Sequence, residues 1–184
     1  MTSASTASRP ELVCPAGTPA ALRSAVDAGA DCVYVGFRDE TNARNFPGLN
    51  FSRKELDEAI GYAHGRGAKV LVAINTFPRA GAADLWHRAV DDAVGLGADA
   101  LILADIGLIA YAAERHPEAR LHLSVQAAAS NPAAIRFYAD RFGIRGRYFL
   151  DIWNAGGGCD QRGASRRDNC GAMRSLPPLA HTSP

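Results

Sequence analysis

The chain has 184 residues, 47% of them apolar and 21% charged, with a formal net charge of +1. This is the balance of one ordinary globular domain, and it excludes a low-complexity chain or one that is basic throughout. The composition also lacks the run of about eighteen apolar residues that a membrane-spanning helix needs.

Residues 1–10, MTSASTASRP, lack the apolar core of a signal peptide and read as a disordered lead-in. Residues 11–14 predict a short strand ending in Pro15-Ala16-Gly17. Thr18 then caps a helix with Pro19 in its first position, a buried stripe of Leu22, Ala25 and Val26, and a stop at Gly29. A second strand is expected over 32–36. Residues 36–51, GFRDETNARNFPGLNF, form a strand-to-helix connection far longer than the usual two to six or so residues, and long ordered loops of this kind are commonly functional. Ser52 and Glu55 make a capping box for a helix carrying Leu56, Ala59, Ile60 and Ala63, which Gly65 and Gly67 end. Residues 69–75, KVLVAIN, are apolar on both faces, as a parallel strand covered by helices should be.

After Thr76-Phe77-Pro78, a helix is expected with Leu85, Trp86, Ala89, Val90, Ala93 and Val94, closed by Gly95 and Gly97. A fourth strand over 100–104 runs into Asp105 and a helix with Ile106, Ile109, Ala112 and Ala113. A fifth strand covers 121–125. Ser130 or Asn131 then caps a helix with Pro132 in its first turn and Ile135, Tyr138 and Phe142 inward. Three helix ends share one signature that leads straight into a strand: Gly29-Ala30-Asp31, Gly67-Ala68-Lys69 and Gly97-Ala98-Asp99. Strands alternating with helices imply βαβ units and a parallel sheet. The expected fold is α/β, an incomplete (β/α) TIM-barrel-like arrangement over 11–143 with about five βα units, where a full barrel has eight.

From residue 144 the pattern fails. Tyr148-Phe149-Leu150 can begin a sixth strand, but three consecutive glycines, scattered arginines and Pro177-Pro178 follow without a helical stripe. Residues 144–184 hold six Arg and three Asp, which makes them +3 and leaves residues 1–143 at −2. An irregular tail is expected there, of the kind a frameshift or a truncated reading frame produces; a native flexible tail is the competing explanation.

Several motifs resemble the U32 peptidase family. They are Leu12 to Gly17, Gly29-Ala30-Asp31 with Val33-Tyr34-Val35-Gly36, Thr41-Asn42-Ala43-Arg44, Gly48-Leu49-Asn50-Phe51, the Asn75 block, Leu101 to Asp105, and Ser124-Val125-Gln126. Within the family the long loop is most similar to the UbiU branch of ubiquinone biosynthesis. That resemblance implies an iron-sulfur hydroxylase subunit working in the cytoplasm with a UbiV-like partner. A ubiquinone precursor would be its substrate and prephenate the oxygen donor, with no nucleic acid. It also implies a [4Fe-4S] cluster held by cysteines beyond residue 143 in a full-length member. Cys159 and Cys170 do not lie in a region that looks like that one, so no cluster is expected in this chain, which would then be inactive as a fragment. The alternatives are an RNA (tRNA or rRNA) hydroxylase of the same family and a non-catalytic partner-binding fragment, with peptidase activity the weakest reading.

In a parallel α/β arrangement ligands bind at the carboxyl ends of the strands. The candidate substrate-binding residues there are Arg38, Asp39, Thr41, Asn42, Arg44, Asn75, Asp105 and Gln126, and no catalytic residue is assigned. Arg38 and Arg44 suit a carboxylate held in bidentate fashion, while the amides suit a hydroxyl or carbonyl. Each has a structural alternative: Asp105 as a helix cap, Arg44 paired with Asp39 or Glu40, and Asn75 satisfied by backbone. Cys14, Cys32, Cys159 and Cys170 match no zinc spacing, and no histidine has a second ligand at metal spacing, so no metal site is expected and the thiols read as reduced.

Overall fold

The computed structural model describes residues 11–144 and the backbone of 146–148. Six parallel strands alternate with five helices: β1 (Val13–Pro15), α1 (Pro19–Asp27), β2 (Cys32–Gly36), α2 (Arg53–His64), β3 (Lys69–Ile74), α3 (Asp84–Gly95), β4 (Ala100–Leu103), α4 (Ile106–Arg115), β5 (Leu121–Ser124), α5 (Pro132–Phe142) and β6 (Gly146–Tyr148). The strands lie side by side in chain order, β1 to β6. That order never reverses, so there is no switch point of the doubly wound kind, and the helices cover one face as they do around a barrel. The five expected βα units are all present. The sixth strand is the backbone segment β6, which pairs with β5 from Gly146, earlier than the sequence pattern suggests. The remainder of the tail, with Cys159 and Cys170, and the 1–10 lead-in lie outside the described residues.

Two apolar layers follow from strand alternation. Cys14, Val33, Val35, Val70, Val72, Ile74, Leu101, Leu103, Leu121 and Leu123 face the helices and join Leu22, Leu56, Trp86 and Ile109 in the main core. The alternate residues Val13, Cys32, Leu71, Ala73, Ala100 and Ile102, with Tyr34, form a separate inner cluster. Register aligns Gly36, Ala73, Ile102 and His122 as one row across that inner face.

The repeated helix ends are one device used three times. Gly29, Gly67 and Gly97 all take positive φ, at 91°, 76° and 87°. The following Ala30, Ala68 and Ala98 each donate their N–H to the carbonyl five residues back, at 3.0 Å, in the Schellman pattern. The next residue then pins a strand start: Asp31 accepts from Leu12 N–H at 2.8 Å and Asp99 from Val70 N–H at 2.7 Å. Lys69, in the middle copy, ion-pairs with Glu11 instead.

Caps follow local chemistry. Thr18 accepts from Ala21 N–H, Ser52 and Glu55 complete their box, and Asn131 rather than Ser130 caps α5. α5 departs from expectation in packing. Ile135, Tyr138 and Phe142 are only partly buried, and none of its residues is fully buried.

Candidate functional site

The long loop begins and ends on a pair of aromatic anchors. Phe37 and Phe51 form a parallel bridge and are both fully buried, with Phe51 N–H donating to Gly36 C=O and Arg38 N–H to Phe51 C=O. The guanidinium of Arg38 closes the same base. It donates to the carbonyls of Leu49 and Asn50 at 3.3 and 2.8 Å and to Glu55 at 2.8 Å. Asp39 accepts from the Thr41 hydroxyl at 2.6 Å and the Thr41 N–H at 3.0 Å, and ion-pairs with Arg53, which lies over the Phe37 ring. Arg38, Asp39 and Thr41 therefore build the loop and do not line its cavity.

Inside the loop two asparagines interlock around Arg44, and Asn75 ties the loop to the end of β3. Asn42 Nδ2 donates to Asn50 Oδ1 at 3.1 Å, Arg44 N–H donates to Asn42 Oδ1 at 2.9 Å, and Asn50 Nδ2 donates to Arg44 C=O at 2.8 Å. Asn75 Oδ1 accepts from Ala43 N–H at 3.0 Å, and Asn75 N–H donates to Thr41 C=O at 2.9 Å. These backbone partners fix the amide orientations, because an N–H needs an oxygen opposite it. Asn75 lines the cavity with its Oδ1 held by the loop backbone. Asn50 takes φ 70°, a left-handed conformation that asparagine tolerates better than most side chains. Gly36 is required by contact, since a Cβ there would stand 1.7 Å from Asn42 Nδ2.

The result is a cavity of about 200 Å³ at the carboxyl ends of β1 to β5, lined by Gly17, Tyr34, Asn42, Arg44, Asn50, Asn75 and Ser124 among others. At about 30 Å³ per liquid water, it has room for roughly seven waters or one ring-sized group. Of the eight residues singled out in the sequence, Asn42, Arg44 and Asn75 meet here. Asp105 lies elsewhere and accepts from Leu108 N–H at 2.8 Å as the N-cap of α4. Gln126 is exposed on a short helical turn, its N–H donating to Ser124 Oγ at 3.3 Å. Sequence reasoning missed Gly36, Tyr34 and Asn50 as site residues. The signal for Asn50 was an Asn two residues after the loop Gly48, in a turn where left-handed backbone is common.

Metal chemistry finds no donor set among the described residues, where no group of three or more His, Cys, Asp and Glu is placed to hold an ion. Cys14 and Cys32 point to opposite faces of the sheet, into the main core and the inner cluster respectively. Burial pushes the Cys32 thiol up to about 12, far from the thiolate a metal needs. The described residues therefore do not fit a [4Fe-4S] cluster. His122 is buried in the inner row. Burial foremost, with the nearby Arg120 charge, pulls its imidazole down to about 4, so it is neutral at pH 7.

Residues 17–145 match peptidase family U32. The chain belongs to this family. It is 40% identical over 131 residues to tRNA hydroxylation protein P of Escherichia coli (strain K12), covering 71% of this chain and 28% of that protein. It is 33% identical to the 23S rRNA 5-hydroxycytidine C2501 synthase of the same organism, over 72% of this chain and 19% of the synthase. A U32 relative from Porphyromonas gingivalis (strain ATCC BAA-308 / W83), named a collagenase, is 32% identical over 70% of this chain and 30% of its own. The chain thus spans less than a third of each of these relatives. In architecture it is similar to a phosphodiesterase from Oleispira antarctica, with a TM-score of 0.52 at 16% identity, covering 75% of this chain and 74% of that one. That likeness concerns the fold alone. No helix among the described residues is long and apolar enough to cross a membrane.

Proposed function

We propose that this chain is the barrel segment of a U32 RNA hydroxylation protein, with the amide-lined cavity receiving the edge of a nucleobase. The observation that carries this reading is that Asn42 and Asn50, bonded to each other, and Asn75, bonded to the loop backbone, line one cavity at the carboxyl ends of the strands. Such a set offers fixed donors and acceptors to a planar group with carbonyl and N–H positions, which is how an unstacked base is read. Support comes from the two relatives named for hydroxylation of tRNA and of 23S rRNA. The −2 charge of residues 1–143 weighs against RNA as an average, but a local surface decides recognition. The cluster expected in a full-length member belongs, in this reading, to residues outside those described.

The ubiquinone reading, with its UbiV-like partner and a prephenate donor held between Arg38 and Arg44, has less support. Arg38 is engaged by Leu49, Asn50 and Glu55, and Arg44 alone of the two lines the cavity. Peptidase chemistry has less still, because Cys14 is buried in the helix-facing core.

The test is to replace the matching 131-residue segment of tRNA hydroxylation protein P in Escherichia coli with the corresponding residues of this chain, reading hydroxylated tRNA nucleosides and ubiquinone by mass spectrometry. Retained nucleosides, lost in Asn42→Ala and Asn75→Ala, are expected. Loss of the nucleosides without either substitution, or a change in ubiquinone alone, overturns the proposal.

A further inference from the structure

We infer that the mouth of the cavity is a stacking platform for unpaired RNA bases, with Phe46 and Phe77 as its two rings. The inference rests on the RNA reading above and adds the residues that would hold the nucleotides flanking the target base.

Large apolar side chains are normally buried, yet four stand exposed at this one end of the sheet: Phe46 at 59%, Leu49 at 37%, Phe77 at 56% and Ile106 at 46%. Phe46 and Leu49 belong to the long loop, Phe77 follows β3 by three residues, and Ile106 opens α4. The two rings are carried on neighbouring loops that are tied to each other. Thr76 donates its hydroxyl to Glu40 C=O at 2.6 Å, Ala43 N–H bonds Asn75, and Trp86 Nε1–H donates to Thr76 Oγ1 at 2.9 Å. Phe46 lies between the cavity-lining Arg44 and Leu49, and Phe77 lies two residues beyond the cavity-lining Asn75. Each ring is therefore carried within two residues of a cavity-lining side chain, on a separate, braced support.

The charges beside the rings are balanced. Glu40, Asp39 and Glu55, the carboxylates of the long loop and its helix start, are each matched by an arginine: Arg79, Arg53 and Arg38. Two exposed aromatic faces beside a pocket sized for one ring fit a single strand whose neighbouring bases stack while one enters. A duplex keeps its bases in its own stack and cannot use them this way.

The experiment is fluorescence anisotropy of the 184-residue chain with a fluorescein-labelled single-stranded RNA of about 12 nucleotides and with the same sequence as a duplex. The single strand should bind more tightly. Phe46→Ala and Phe77→Ala should each weaken it by about 5- to 100-fold, while Phe46→Trp and Phe77→Trp retain it. Phe137→Ala, which removes an exposed ring on α5 away from the mouth, should leave binding unchanged, and circular dichroism checks that all variants fold. Tight single-strand binding that survives both alanine substitutions overturns the platform while leaving the RNA reading in place. Absence of RNA binding by the unsubstituted chain overturns both.

Discussion

At the amino ends of the strands, Asp31 and Asp99 each accept the backbone N–H that begins a neighbouring strand, while at the carboxyl ends Asp39, Asn42 and Asn75 reach across to other parts of the loops. The same residue types are used in both places. The amino-end turns repeat one hydrogen-bond pattern three times, whereas no two carboxyl-end loops are alike. Repetition marks the scaffold, and the departure from it marks the site.

The contrast can be broken at its base first. Phe37→Ala removes a fully buried ring that seats the loop and supports Arg53, and should cost about 3–5 kcal/mol in denaturant unfolding with loss of RNA binding. The inner row between the two ends comes next. His122 has a folded pKa of about 4 against an ordinary 6.5, so its contribution is fully present above pH 6.5 and is lost as pH falls toward 4. That loss is on the order of 3 kcal/mol, and His122→Gln should flatten this limb of the stability-against-pH curve. Gly36→Ala sharpens the comparison from the site side. It should cost about 1–3 kcal/mol by overpacking against Asn42, and it should weaken RNA binding more than a variant of equal stability loss elsewhere. At the amino end, Asp99→Asn should lower stability by about 1–2 kcal/mol while RNA affinity is retained. Asp105→Ala is the smallest: loss of an N-cap should cost about 1 kcal/mol without changing affinity, although the residue sits at the carboxyl end. A binding defect there would break the distinction.

What could be read from the sequence was whatever is decided within a few residues. Helix caps, Schellman glycines and the double-sided apolar strands are local, and the order of the βα units follows from them. Even the two readings of Asp105 were visible, because its partner is three residues away. The site was harder because its partners are distant. Arg38 reads as a ligand-binding cation until the chain returns with Asn50 and Glu55 beside it. Gly36 reads as a strand end until Asn42 folds over it. Phe46 and Phe77 carry no signal at all, since an apolar residue in a loop is as readily buried as exposed. α5 shows the opposite failure: its periodic stripe predicts burial that the described residues supply only in part.

Each strand hydrogen-bonds to the one made just before it, and that neighbour order has a consequence for how the protein is built. Pairing needs only the preceding unit, so the sheet can lengthen one βα step at a time as the chain emerges from the ribosome. Among the described residues each strand pairs only with its chain neighbours, which keeps contact order low for a parallel sheet. Biosynthesis itself can then lay down β1, the long loop and β3, and so assemble most of the cavity wall, before α5 exists.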